Sequence, residues 1–238
     1  MNRPQGEIPT EVYVDFLGRT IDIHWDYHAT LMFALWMVLA PLCVIIMRFG
    51  KPRPAGKGIT DKVSMRNPKW WWFAVHQSGL YTVIFLSLGG GALALFVRGG
   101  FSGSVHAMFG LATISMGCLQ VIAALFRGTH GGKYYGDAKP DDPATWWGDH
   151  YNHTGRRRFF EAYHKSSGYF TIAFAMGAVG SGLMQYAMPT LVALVFMLPF
   201  AYLAIWILLE YLGRRYDGYR AVYGSSMEHP YNKEREHL

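Results

Sequence analysis

Charge is scarce in this 238-residue chain: Asp, Glu, Lys and Arg make up 16% of it. Five long apolar runs carry none in their central parts, roughly 28–47, 70–97, 104–126, 166–188 and 190–212. About 20 apolar residues in a row match the hydrocarbon thickness of a bilayer. This pattern excludes an ordinary soluble domain and predicts an all-α, polytopic membrane protein. Cysteine is also scarce. Cys43 and Cys118 both fall inside apolar runs, so no disulfide framework is available and both read as small buried hydrophobes. The first run has no basic stretch just before it and no small-residue cleavage site after it, and it begins far from the N-terminus. It therefore reads as a span and not as a cleavable signal. No internal repeat of the solenoid kind is present.

Lys and Arg are sparse in alternate connections. Only Arg3 and Arg19 precede the first run, only Arg98 separates the second from the third, and none lies between the fourth and fifth. The other connections are basic. The first holds Arg48, Lys51, Arg53, Lys57, Lys62, Arg66 and Lys69. The second holds Arg127, Lys133, Lys139, Arg156, Arg157, Arg158 and Lys165, and the tail holds Arg214, Arg215, Arg220, Lys233 and Arg235. The positive-inside rule then puts the N-terminus outside and the C-terminus in the cytoplasm, with a bacterial inner membrane as the expected location. Topology accounts for the net charge of +6, so nucleic acid is not an expected partner; membrane lipid is.

Three regions follow. Residues 1–27 form a short, mildly acidic outer segment with Glu7, Glu11, Asp15, Asp22 and Asp26. Residues 28–212 form the membrane domain, with the fourth helix starting near 160, and 213–238 form a cytoplasmic tail. Asn67-Pro68 reads as a helix start. The short connection "RGGFSGS" makes the second and third helices antiparallel neighbours. Loop 128–158 is long, a length associated with function or disorder. Pro41 and Pro199 fall inside helices, where neighbouring groups can compensate for a kink. Glu210 ends the last run with Arg214 at i+4 as its expected partner.

Histidine supplies the chemistry. Each of the first four helices carries one near its own N-terminal end: His28, His76, His106 and His164. Alternating direction converts this into depth. His28 and His106 fall near the outer face, and His76 and His164 near the cytoplasmic face. Facing pairs of neutral imidazoles suit axial ligation of haem iron. Glycines occupy the same helix faces: Gly79 at i+3 from His76, Gly110 at i+4 from His106 and Gly168 at i+4 from His164. They are expected to give a porphyrin clearance. Gly89, Gly90, Gly91, Gly177 and Gly180 serve either clearance or close helix packing. His24 shares the face of His28 but sits between Asp22 and Asp26, at or beyond the interface. Asp149, His150 and His153 have metal-compatible spacing on a helical turn, though a solvated loop is the expected reading. His130, His229 and His237 read as exposed. Trp70, Trp71, Trp72 and Phe73 mark an interfacial belt, and Trp36 lies mid-helix, either packed or between the two histidine levels.

The segments "HATLMFALWMVLAPLCVIIMRFGK", "WWWFAVHQSG", "HAMFGLATISMGCLQVIAALFR" and "FFEAYHKSSGYF" resemble the four core helices of the cytochrome b561 family. The resemblance covers roughly residues 28–186. Five helices, the last without histidine, are similar to the b561 modules that accompany DOMON domains, although this chain contains no DOMON domain. The resemblance implies two b-type haems, with His28 paired to His106 and His76 to His164. Two features depart from the family pattern. Loop 128–158 is longer than expected, and the basic residues of ascorbate-dependent members have no secure counterparts; Arg48, Lys51 and Arg127 lie on the appropriate face.

The expected function is transmembrane electron transfer, as an oxidoreductase of ferric-reductase, quinol-dependent or ascorbate-dependent type or as a non-catalytic carrier. A periplasmic cytochrome docked on the acidic segment, or a quinone, are candidate redox partners. A homodimer or membership in a larger complex is compatible with the pattern. The rival readings are a haem-free proton or metal transporter, with histidines grouped at the midplane, and a membrane anchor subunit of a redox enzyme.

Overall fold

A computed structural model of the chain describes residues 8–59, 63–186, 188–226 and 229–234. Arg3, Glu7, Lys62, Arg235 and His237 lie outside the described residues. The predicted runs form five helices long and apolar enough to cross a membrane. They are α1 (Trp25–Phe49), α2 (Trp71–Arg98), α3 (Val105–Leu125), α4 (Gly155–Gln185) and α5 (Pro189–Tyr211). Two short helices follow, α6 (Gly218–Tyr223) and α7 (Pro230–Glu234). The segment before α1 is an antiparallel hairpin of β1 (Glu11–Val14) and β2 (Arg19–Asp22), with Glu11 opposite Asp22. Gly18 turns the chain there with φ 61°, a conformation that favours glycine.

Local chemistry sets the helix ends. Asn67 accepts a hydrogen bond from the Lys69 N–H at 3.0 Å and starts a short 3₁₀ turn, Pro68–Trp70, that leads into α2. Ser104 and Thr154 cap α3 and α4 in the same way, through the N–H groups of Ala107 and Arg157. Gly99 closes α2 in the left-handed region.

The bundle core gathers Leu35, Trp36, Met37 and Ala40 of α1, Val83 and Ile84 of α2, Ala175, Val179 and Leu183 of α4, and Val195 of α5. α3 runs along α4 over the longest seam of the bundle. Large apolar side chains such as Phe85, Leu93, Leu111, Phe196 and Phe200 stand exposed on the outside. So much exposed apolar surface suits lipid and not water, which makes this an integral membrane protein.

Pro41 shows how α1 stays intact. It has no N–H, so the Met37 carbonyl four residues earlier loses its helical partner. The helix widens to a π turn over Ala34–Leu39, and the Tyr202 hydroxyl of α5 donates to the Met37 oxygen at 2.6 Å. At the end of α5, Glu210 pairs with Arg48 at 2.6 Å and Arg215 at 3.7 Å, and not with Arg214 as expected. The i+4 rule looks only along one helix; here the carboxylate faces α1, where Arg48 also lies over the Trp206 ring.

Candidate functional site

α1 and α3 bring His28 and His106 together at the hairpin end, with ring centroids 6.2 Å apart and planes at 83°. His106 Nδ1 lies 2.8 Å from the Ala178 carbonyl of α4. A carbonyl oxygen only accepts, so Nδ1 carries the proton and Nε2 keeps its lone pair. Room for this ring comes from a neighbouring helix: a Cβ at Gly182 would lie 2.8 Å from His106 Nδ1. Gly90 of α2 lies at the level of His28: a Cβ there would overlap the Met32 Cε and lie 3.7 Å from His28 Nδ1, an ordinary contact. His24 is exposed and packs on Tyr27, away from this pair.

α2 and α4 bring His76 and His164 together at the other end, again with centroids 6.2 Å apart and planes at 78°. His76 Nδ1 lies 3.3 Å from the Cys43 carbonyl of α1, so its proton is placed as in His106. Phe160 stacks on the His164 ring at 5.1 Å. The Gln120 carboxamide of α3 lies between His164 Nδ1 and Ser167 Oγ. With its nitrogen toward the ring, it donates to Nδ1 at 2.5 Å. With its oxygen toward the ring, it accepts from Nδ1–H. The first setting satisfies the whole amide, since its nitrogen also donates to the His164 carbonyl and its oxygen accepts from the Ser167 hydroxyl and the Gly168 N–H, whereas the second turns the oxygen toward that carbonyl.

The three predicted clearance glycines divide. A Cβ at Gly110 or Gly168 would meet nothing within 4 Å, so both border open space. Gly79 is different: a Cβ there would overlap Cys43 Sγ. Its small size lets α1 and α2 close on each other, which corrects the expected role. Cys43 is fully buried, and its thiol faces the Val75 carbonyl.

The two pairs occupy separate levels. Gly90 marks the level of His28 on α2, fourteen residues from His76, and a rise of 1.5 Å per residue makes that about 21 Å. Trp36 lies between the levels, 5% exposed, with its indole N–H donating to Ser87 Oγ at 2.8 Å.

Loop 128–158 and the tail form a cap that sequence reasoning missed. His130, expected to be exposed, is half-buried among Trp70, Tyr135, His150 and Tyr223. His229, also expected to be exposed, is 4% exposed and stacks on Tyr223. Burial beside Arg157 and Arg127 pushes His130 down to about 3, and burial lowers His229 to about 4. His150 is held well below the ordinary value by burial and Arg157. The expected solvated turn is likewise built in: Asp149 accepts from the Thr129 N–H and from the hydroxyls of Thr129 and Thr154. These bonds hold its carboxyl below the usual range. The cap joins the bundle where the Tyr219 hydroxyl donates to Glu161 at 2.9 Å, beside the Arg157–Glu161 pair. Among the described residues, no three His, Cys, Asp or Glu side chains gather as a site for a bare metal ion.

No protein-family model matches the chain, and no solved structure matches it. Among curated proteins, the putative ferric-chelate reductase 1 of Xenopus laevis is 31% identical over 103 residues. The aligned part is 42% of this chain and 16% of that protein's length.

Proposed function

We propose that this chain carries electrons across the membrane through two b-type haems, His28 with His106 holding one and His76 with His164 the other. The observation that carries the reading is the pair geometry. A metal–imidazole bond of about 2.0–2.1 Å on each side, plus about 1.1 Å from nitrogen to ring centre, puts two rings on one metal at about 6.3 Å. Both pairs stand at 6.2 Å. Each pair offers two nitrogens only, so a metal held there must bring its remaining ligands with it, as a porphyrin does. Gly110 and Gly168 border open space of the kind such a ring needs.

When bound, haem supplies a one-electron ferric–ferrous couple. The chain's own residues do the rest. The Ala178 and Cys43 carbonyls fix the His106 and His76 tautomers and ring directions, as outer partners of metal-bound histidines do. The Gln120 carboxamide contacts His164 Nδ1 and holds that ring's direction. The apolar bundle excludes water from the interval between the levels, with Trp36 filling its middle. A proton or metal transporter would gather its histidines at the midplane, and a separation of about 21 Å speaks against that.

The name of the Xenopus relative offers a ferric chelate as the electron acceptor, which extends the proposal to transmembrane ferric reduction. The proposal places the chain in a bacterial inner membrane, and the basic connections support an orientation with the hairpin outside and the basic end in the cytoplasm. The test is a reduced-minus-oxidised spectrum of the purified protein with haem counted per chain. Two haems are expected. A haem-free protein from haem-replete cells overturns the proposal, and one haem per chain breaks the two-pair assignment.

A further inference from the structure

A pocket of about 350 Å³ lies between α1, α4 and α5, beside Trp36. Four aromatic rings line it: Trp36 of α1, Tyr169 of α4, and Tyr202 and Trp206 of α5. Proline interrupts two of its walls, and both Pro41 and Pro199 border the space. The Tyr202 hydroxyl, donating to the Met37 carbonyl, ties these two walls together. Among the described residues no charged side chain lines the pocket.

Tyr169 is the unexplained part. Its side chain is 52% exposed on the outside of the bundle, and among the described residues its hydroxyl has no hydrogen-bond partner. Depth makes that costly. Trp71, an exposed indole at the start of α2, marks the headgroup level of a bilayer. His76 is five residues inward from Trp71, and Tyr169 is five residues inward from His164, which stands at the level of His76. Each step is about 7.5 Å. Tyr169 is therefore about 15 Å inside, near the middle of a hydrocarbon layer about 30 Å thick. Water does not reach a phenol there, and an unmet donor in hydrocarbon is costly. Its partner has to come from the lipid phase.

Acyl chains carry no acceptor at that depth. A flat ring bearing a carbonyl meets both demands of the pocket. Its faces stack on the aromatic walls, and its oxygen accepts from the Tyr169 hydroxyl. The volume is at the small end of the range for a ligand site, which suits a single substituted ring. We propose that the pocket binds the head ring of a lipid-soluble quinone, with the tail leaving past Leu203, exposed on α5. On the two-haem reading, the ring lies beside Trp36, between the two histidine levels; binding itself requires no haem.

The full chain, purified in neutral detergent, is titrated with decylubiquinone, and native mass spectrometry counts what each chain retains. One molecule per chain is expected. Tyr169→Phe keeps the ring and removes the hydroxyl, and should bind about tenfold more weakly. Leu203→Trp, at an exposed position, should fill the mouth and abolish retention. Tyr81→Phe, which removes a phenol of α2 that does not line the pocket, should bind as the parent does. Decylbenzene has the same chain on a ring without carbonyls, and its equal retention overturns the quinone assignment. Unchanged affinity in Tyr169→Phe, or parent-like retention in Leu203→Trp, overturns the site. Haem-free protein gives the same readout, so failure here and failure of the haem reading are told apart.

Discussion

The two ends of the bundle hold the same pair of rings at the same separation but cover them differently. At the hairpin end, His28 and His106 lie beneath a two-stranded hairpin attached through few contacts, among them Trp25 Nε1–H to the Pro9 carbonyl at 2.6 Å. At the basic end, the region around His76 and His164 is covered by loop 128–158 and the tail, interlocked through His130, His150, Tyr219, Tyr223 and His229. The hairpin is exposed and acidic, with Phe16 84% exposed at its turn. The cap is aromatic, with Asp149, Tyr219 and His229 buried within it, while 139–144 stand exposed. One pattern of support, a helix histidine tied through Nδ1 to a group on another helix, thus serves two quite different lids. The pair geometry belongs to the bundle; accessibility belongs to the connections.

Removing ligands tests that division most severely. His106→Ala should lose the hairpin-end haem and keep the other, and His164→Ala should do the reverse, each halving haem per chain. Loss of both haems from either variant would show that the two ends are not independent. A smaller effect is expected from Gly182→Ala. The new Cβ would meet His106 Nδ1, and overpacking of this kind costs about 1–3 kcal/mol. Thermal unfolding of the haem-bound protein should register it, with spectral change confined to the hairpin-end haem.

Acid should loosen the cap. His130 and His229 titrate in the folded protein at about 3 and about 4, below their ordinary value of 6.5. The folded state therefore favours the neutral rings. Their contribution is fully present above about pH 6.5 and is lost as pH falls toward about 4 for His229 and about 3 for His130. Limited proteolysis should cut within 128–154 increasingly over that interval, while the hairpin shows no matching change. Tyr219→Phe should act on the cap with an effect no larger than that of Gly182→Ala. It removes one hydrogen bond to Glu161, worth about 1.5–3 kcal/mol at most because the acceptor is charged, and should loosen the cap without changing haem count.

The spans and the four histidines were legible because their signals are local. Hydropathy shows a span, and alternating direction turns a position near a helix start into a depth. Tyr202 on the Met37 carbonyl was not legible, since the two residues are 165 apart and only packing joins α5 to α1. The cap was missed for the same reason. His130 meets Tyr223 across 93 residues, and a loop rich in Gly, Asp and His reads as solvated when its partners are in the tail. Gly79 shows a subtler limit. Its spacing from His76 was correct, yet the space it leaves is taken by Cys43. Gly182 carried the sharper signal of a small residue at the depth of His106, but on the neighbouring helix, where spacing rules for one helix do not look.

The most direct test of the central claim is electron transfer across a sealed membrane. Proteoliposomes containing ferricyanide receive dithionite on the outside only, and the internal ferricyanide absorbance is followed. The parent chain should reduce it, and His106→Ala and His164→Ala should each abolish the reaction although one haem remains. Equal rates in the parent and either variant would contradict a path that runs through both pairs.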